Sequence, residues 1–223
     1  TNRALVLAAL ATGPSVITGG LEARDTQLMR DALRALGVTI VEDDGRWEVT
    51  PPKAFVGGGA IDCGLAGTVM SFVPPIAALA HGTVRFDGDQ QAYARPMAPL
   101  LGALKRLGAR IDGNGHSLPF NLTGNPNLPG GDVIVDAAAS SQFLSGLLMA
   151  APLLAPGHGL RISVEGRLIS EPYVELTLSL MKQFGVTVGR AGNDYLVPRA
   201  PYRSPGRFVV ESDASSASYF LAL

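Results

Sequence analysis

The chain has 223 residues, of which 47% are hydrophobic and 17% charged, and its net charge is −1. That length and apolar content allow one large domain or two small ones around a sizeable core, and exclude a disordered tail or a coiled coil. The near-zero charge gives no general pull toward nucleic acid or an anionic membrane, so any anion site has to be built locally.

Cys63 is the lone cysteine, which excludes an internal disulfide framework and fits a reducing, cytoplasmic setting. No apolar run reaches the roughly 18 residues that a membrane span needs. The opening "TNRALVLAALATG" has only Arg3 as a basic n-region, too little for a signal peptide. The chain starts without Met and breaks off inside the apolar pattern "ASYFLAL", so both ends read as cut.

In chain order, "NRALVLAALA" is apolar nearly all round and predicts a buried helix. "PSVITGG" follows as a strand ending in Gly. Next, "LMRDALRALGVTI" has apolar residues at i, i+3/i+4 and i+7 and ends at Gly37, an amphipathic helix stopped by a left-handed glycine. "VTIVEDDGRWEVT" then reads as two strands around a turn, and "AIDCG" as a short joining strand. The same phrase returns twice. Buried helices "TVMSFVPPIAALA" and "SQFLSGLLMAAPLLA" lead into strands "GTVRFDG" and "GLRISVEG". Amphipathic helices "LLGALKRLGARI" and "TLSLMKQFGVTV" end at Gly108 and Gly185, and further strand runs and the joining strands "DVIVDA" and "RFVVES" follow. The three helix-ending glycines stand 108 − 37 = 71 and 185 − 108 = 77 residues apart.

A repeat of this length predicts an array of supersecondary units. Three helices apolar all round need cover, and the sheets are the available cover. The predicted fold is therefore α/β: three helix-and-sheet units (about 1–60, 61–132 and 133–208) around a pseudo-threefold axis, helices inside, an inside-out α/β barrel. "SDASSASYFLAL", within 209–223, opens like a further buried helix and reads as a crossover into a second domain.

Polar residues head each buried helix: "TNR", "CGLAGT" and "AASSQ". Small, hydroxyl and amide residues there cap free N–H groups. Helix starts also attract anions, through those N–H groups and the helix dipole. If three buried helices run alike around an axis, their starts converge and gather Arg3, Gly67, Ser140, Ser141 and Gln142 at one end. Arg3 fits a capping role poorly, because its charge opposes the dipole; an anionic ligand accounts for it better. Arg95 in "YARPM", and Ser170 and Tyr173 in "LISEPY", precede the second helices of units two and three, where unit one has Arg24 and Asp25. Pro just inside a helix start is ordinary capping grammar. Arg95 reads either as an exposed arginine or as a phosphate or carboxylate ligand.

No metal-ligand set appears, and no cofactor motif: there is no G-x-x-x-x-G-K-[ST], no strand–GxGxxG–helix, and "GGG" at 57–59 is a loop. His81, His116 and His158 sit in Gly-rich turns, away from any catalytic arrangement. Cys63 is either a small apolar residue at a strand end or a reactive thiol.

Taken together, "NRALVLAALA", "LAGTVM", "ARPMAPLLGALKRLGA", "DAAASSQFLSGLLMAAPL", "ISEPYVELTLSLMKQFGV" and "ESDASSASYFLA" closely resemble the 5-enolpyruvylshikimate-3-phosphate synthase family of enolpyruvyl transferases, over essentially the whole chain. The resemblance implies one lobe, the N-terminal one, of a two-lobed monomeric enzyme of aromatic amino acid biosynthesis, with residues 209–223 crossing to the other lobe. It implies transfer of enolpyruvyl from phosphoenolpyruvate to shikimate 3-phosphate, without a cofactor. It assigns Arg3, Ser140, Ser141, Gln142, Ser170 and Tyr173 to shikimate 3-phosphate, and Gly67, Arg95 and Gln142 to phosphoenolpyruvate. Glyphosate is expected as an inhibitor near Gly67 and Thr68. No catalytic acid or base falls in this chain; these are expected in the other lobe, and Asp213, at the crossover, is not one of them. The present chain by itself is expected to bind substrate without turnover. The family's Lys-Ser upstream of "NR" is absent, and Ser71 stands where the family usually has Arg. The sister transferase acting on UDP-N-acetylglucosamine carries a cysteine where this chain has Gln90. A non-catalytic repeat scaffold, with every helix-head polar a cap, is the alternative from another class.

Overall fold

The computed structural model describes residues 1–128, 131–136, 140–154, 157, 159–166 and 168–211. His158, Asp213 and the crossover segment after Glu211 lie outside the described residues.

Three units follow one another with the same element order. The first runs α1 (Asn2–Leu10), β1 (Ser15–Thr18), α2 (Arg24–Ala35), β2 (Thr39–Asp43), β3 (Arg46–Thr50) and the joining strand β4 (Ala60–Asp62). The second runs α3 (Gly67–Ala77), β5 (Gly82–Asp87), a 3-10 turn at Gln90–Ala94, α4 (Ala98–Arg106), β6 (Arg110–Gly113), β7 (Phe120–Gly124) and β8 (Val133–Asp136). The third runs α5 (Ser141–Leu154), β9 (Leu160–Glu165), α6 (Glu171–Gln183), β10 (Gly189–Ala191), β11 (Asp194–Val197) and β12 (Arg207–Val209).

Helices α1, α3 and α5 are buried nearly all round and pack on one another at the centre. Sequences apolar on every face leave a helix no side for water. Each large apolar side chain so buried contributes about 1.5–3 kcal/mol. Helices α3 and α5 approach tightly at Gly146, where a Cβ atom would lie 2.1 Å from the Ser71 carbonyl oxygen. That carbonyl is free to approach because Pro75, four residues on, has no N–H to give it.

The amphipathic helices end identically. Gly37, Gly108 and Gly185 adopt φ of +95°, +100° and +87°. Each donates its N–H to the carbonyl three residues back, Arg34, Lys105 and Lys182. The following residue donates five back: Val38 to Leu33, Ala109 to Leu104, Val186 to Met181. This is the Schellman closure, and it needs the left-handed residue that glycine supplies without a Cβ penalty.

The sheets have orders β12-β1-β3-β2, β4-β5-β7-β6 and β8-β9-β11-β10. In each, a joining strand lies parallel to the strand after a buried helix, and the other pairings are antiparallel. Each joining strand serves the unit after its own, and β12 returns to the first: Val16 pairs with Arg207 and Thr18 with Val209. Tyr202 adds to this closure, accepting from the Thr12 N–H at its carbonyl and donating its hydroxyl to the Met149 carbonyl at 2.8 Å.

Candidate functional site

The starts of α1, α3 and α5 meet at one end of the molecule. Asn2, in the first turn of α1, donates its amide to the Thr68 hydroxyl of α3 at 2.7 Å. Gly67, the first residue of α3, lies against Gln142 of α5: a Cβ there would be 3.0 Å from Gln142 Oε1 and 3.3 Å from Arg95 Nη1. Asn2, Arg3, Gly67, Thr68, Ser141 and Gln142 are themselves helical rather than preceding the helices. Hydrogen bonding of the backbone starts a residue or more before the apolar pattern does, because the first turn faces the open end and not the core.

A cleft of about 180 Å³ opens at this convergence, lined by Gly67, Ser71, Arg95, Ser140 and Gln142, with an apolar wall that includes Met70 and Phe143. Arg95 precedes Pro96, and its extended backbone (φ −81°, ψ 124°) is the conformation a following proline favours. Its Nη1 donates to the Leu65 carbonyl at 2.7 Å, which anchors the guanidinium beside the start of α3. Ser71 turns its hydroxyl toward Gln142 Oε1, 3.5 Å away. Ser140 accepts from the Gln142 N–H at 3.2 Å, the bond of a helix cap, while also lining the cleft. Ser141 is buried and stands outside the described cleft wall.

Arg3 heads a second group. Its Nε donates to the Thr177 hydroxyl of α6 at 2.7 Å. Its guanidinium lies over the rings of Phe72, at 5.2 Å, and Tyr173, at 5.9 Å. Burial pushes the Arg3 pKa below the ordinary guanidinium value, and the Tyr173 phenol partly offsets this. Consecutive residues of α3 join the two groups: Met70 and Ser71 line the cleft, and Phe72 lies under Arg3. Ser170 caps α6 in a left-handed conformation (φ 54°, ψ 42°), and its carbonyl accepts from the Tyr173 N–H at 3.0 Å. Ser170 and Tyr173 are both exposed at this end of α6.

Arg3 differs from Arg24 and Arg30 of the same unit in having no carboxylate partner among the described residues. Arg30, 1% exposed, is paired by Glu22 through bonds of 3.0 and 2.8 Å and stacks on Trp47. Arg24 forms a two-bond pair with Asp89, which accounts for its charge. Among the described residues, Arg3 makes no ion pair. A partly buried cation without a counter-charge is costly unless an anion arrives.

The structure thus brings Gly67, Arg95, Ser140 and Gln142 to one cleft, and Arg3 and Tyr173 to one stack, with Ser170 a turn away from Tyr173. It does not bring Ser141 to the described wall. Sequence reasoning missed Thr177 and Asn2. Thr177 had a signal: it is the one polar side chain on the buried stripe Val174, Thr177, Met181 of α6. Cys63 is buried, and burial, with Asp62 and Asp87 nearby, pushes its thiol up to about 12, which answers the question of a reactive thiol in favour of a packed one.

The family profile of EPSP synthase (3-phosphoshikimate 1-carboxyvinyltransferase) matches residues 1–223. A solved EPSP synthase from Acinetobacter baumannii superposes with a TM-score of 0.80 at 26% identity, over 99% of this chain and 49% of that one. A second EPSP synthase structure from the same organism gives 0.80 at 25% identity, over 98% and 49%. The chain spans about half the length of the solved structures it matches. With the profile matched from end to end and the threefold fold in common, the chain belongs to the EPSP synthase (3-phosphoshikimate 1-carboxyvinyltransferase) family.

Proposed function

We propose that the whole protein transfers the enolpyruvyl group of phosphoenolpyruvate to the 5-hydroxyl of shikimate 3-phosphate, releasing phosphate, in aromatic amino acid biosynthesis. Residues 1–208 are its N-terminal substrate-binding lobe, and 209–223 lead to a second lobe. The observation that carries this reading is Arg3, a partly buried guanidinium lying over two rings with no carboxylate partner among the described residues. Family membership supplies the anions that suit it.

Arg3, Ser140, Ser141, Gln142, Ser170 and Tyr173 hold shikimate 3-phosphate. Gly67, Arg95 and Gln142 hold phosphoenolpyruvate, and Gln142 serves both. Guanidinium forks and free helix-start N–H groups suit oxyanions. In the reaction the 5-hydroxyl oxygen bonds to C2 of phosphoenolpyruvate as a base takes its proton and an acid protonates the vinyl carbon. The C2–O bond to phosphate then breaks and the added proton leaves. None of the described cleft-lining residues is a carboxylate or histidine, so the acid and base are assigned to the second lobe. Glyphosate, an anion, competes at the phosphoenolpyruvate position near Gly67 and Thr68. The protein acts as a cytoplasmic monomer.

Calorimetry on the full-length protein tests this. Shikimate 3-phosphate binds and UDP-N-acetylglucosamine does not; a scaffold would ignore both, and the sister transferase would reverse the preference. Arg95→Ala weakens phosphoenolpyruvate binding by about 2 kcal/mol, the loss typical of a charged hydrogen-bond partner. An unchanged affinity would remove Arg95 from the site.

A further inference from the structure

Thr177 is fully buried on α6, yet its hydroxyl meets the partly buried arginine of the site group. That hydroxyl accepts from Arg3 Nε at 2.7 Å, donates to the Tyr173 carbonyl at 2.8 Å and lies 3.1 Å from the Ser145 hydroxyl of α5. A hydroxyl has one proton and two lone pairs. Donation to the Tyr173 carbonyl uses the proton and leaves the oxygen as an acceptor aimed at Arg3. Nε is the innermost donor of a guanidinium, so fixing it fixes the plane of the whole group. The rings of Phe72 and Tyr173 hold that plane further. Among the described residues, the two Nη groups make no hydrogen bond, which leaves their N–H donors for a ligand.

We infer that Thr177 is a positioning residue: it sets the orientation in which Arg3 receives the anionic substrate, shikimate 3-phosphate, an inference that rests on the function proposed above. Because Thr177 bridges α1, α5 and α6 through Arg3, Ser145 and its own helix, it links the first and third units behind the site. Asn2 and Thr68 make the corresponding link between the first and second units.

The test is steady-state kinetics and calorimetry on the full-length protein with Thr177→Val, Thr177→Ser and Arg3→Lys. Thr177→Val keeps the branched shape and loses the acceptor. It is expected to raise KM for shikimate 3-phosphate at least fivefold, with KM for phosphoenolpyruvate within twofold of wild type. Thr177→Ser keeps the hydroxyl and stays near wild type in both. Arg3→Lys puts all its donors on one nitrogen and loses the planar fork that separates the Thr177 bond at Nε from the ligand bonds at the Nη groups, and it is expected to lose at least tenfold; this variant keeps the inference testable if Thr177→Val does not fold. In the double variant, Thr177→Val adds nothing to Arg3→Lys. Equal rises in both KM values, no rise in either, or additive effects in the double variant would overturn the inference. A wild-type protein that does not bind shikimate 3-phosphate would overturn the proposed function instead.

Discussion

Cys63 stands just past β4, wholly buried, with its thiol pushed up to about 12 chiefly by loss of water. The folded state therefore keeps the proton that an unfolded thiol releases near its ordinary pKa of about 8.5. Its contribution to stability is intact below that value and is lost as pH rises from there toward 12. Cys63→Ala is expected to flatten the alkaline fall in stability relative to wild type, as read from denaturant midpoints at alkaline pH; parallel curves would refute this. At the same scale, Arg3 stood out in the sequence because a cation at a helix start has no capping use, whereas Arg95 read equally as an exposed arginine. Thr177 was not, because a threonine on an apolar stripe is also ordinary packing, and its partner is 174 residues away.

Glycine has two different uses in the elements. At Gly185 the backbone is left-handed and a Cβ would meet only Arg203 side-chain atoms at 3.6 Å. Gly185→Ala then costs the left-handed strain alone, about 1–2 kcal/mol. At Gly146 the helical backbone is ordinary, but a Cβ would fall 2.1 Å from the Ser71 carbonyl oxygen. Gly146→Ala has to push α5 off α3, and costs about 3 kcal/mol or more by the standard of overpacked cores. It also separates Gly67 from Gln142, so it is expected to weaken ligand binding where Gly185→Ala does not. Thermal unfolding and calorimetry on the two variants check both statements. The helix-ending glycines were readable from periodicity and spacing. Gly146 was not, because its need arises from another helix, and nothing local marks it.

At the scale of the whole molecule the three units form a closed ring, with β12 placed beside β1. The repeat in the sequence announced the units but not the offset by which each joining strand serves the next one. Tyr202 is buried in that closure, and Tyr202→Phe removes its bond to the Met149 carbonyl. The expected loss is about 1 kcal/mol, with thermal unfolding still a single transition, because no unit owns a complete sheet. Separate transitions for the units would contradict this. The ring also sets a timetable. Val16 and Arg207 are 207 − 16 = 191 residues apart in the chain. At a synthesis rate of about 5–20 residues per second, β1 emerges from the ribosome about 10–40 s before its parallel partner exists. During that interval its open edge is a template for pairing with other chains, and of these three units the first to be made is the last to be finished.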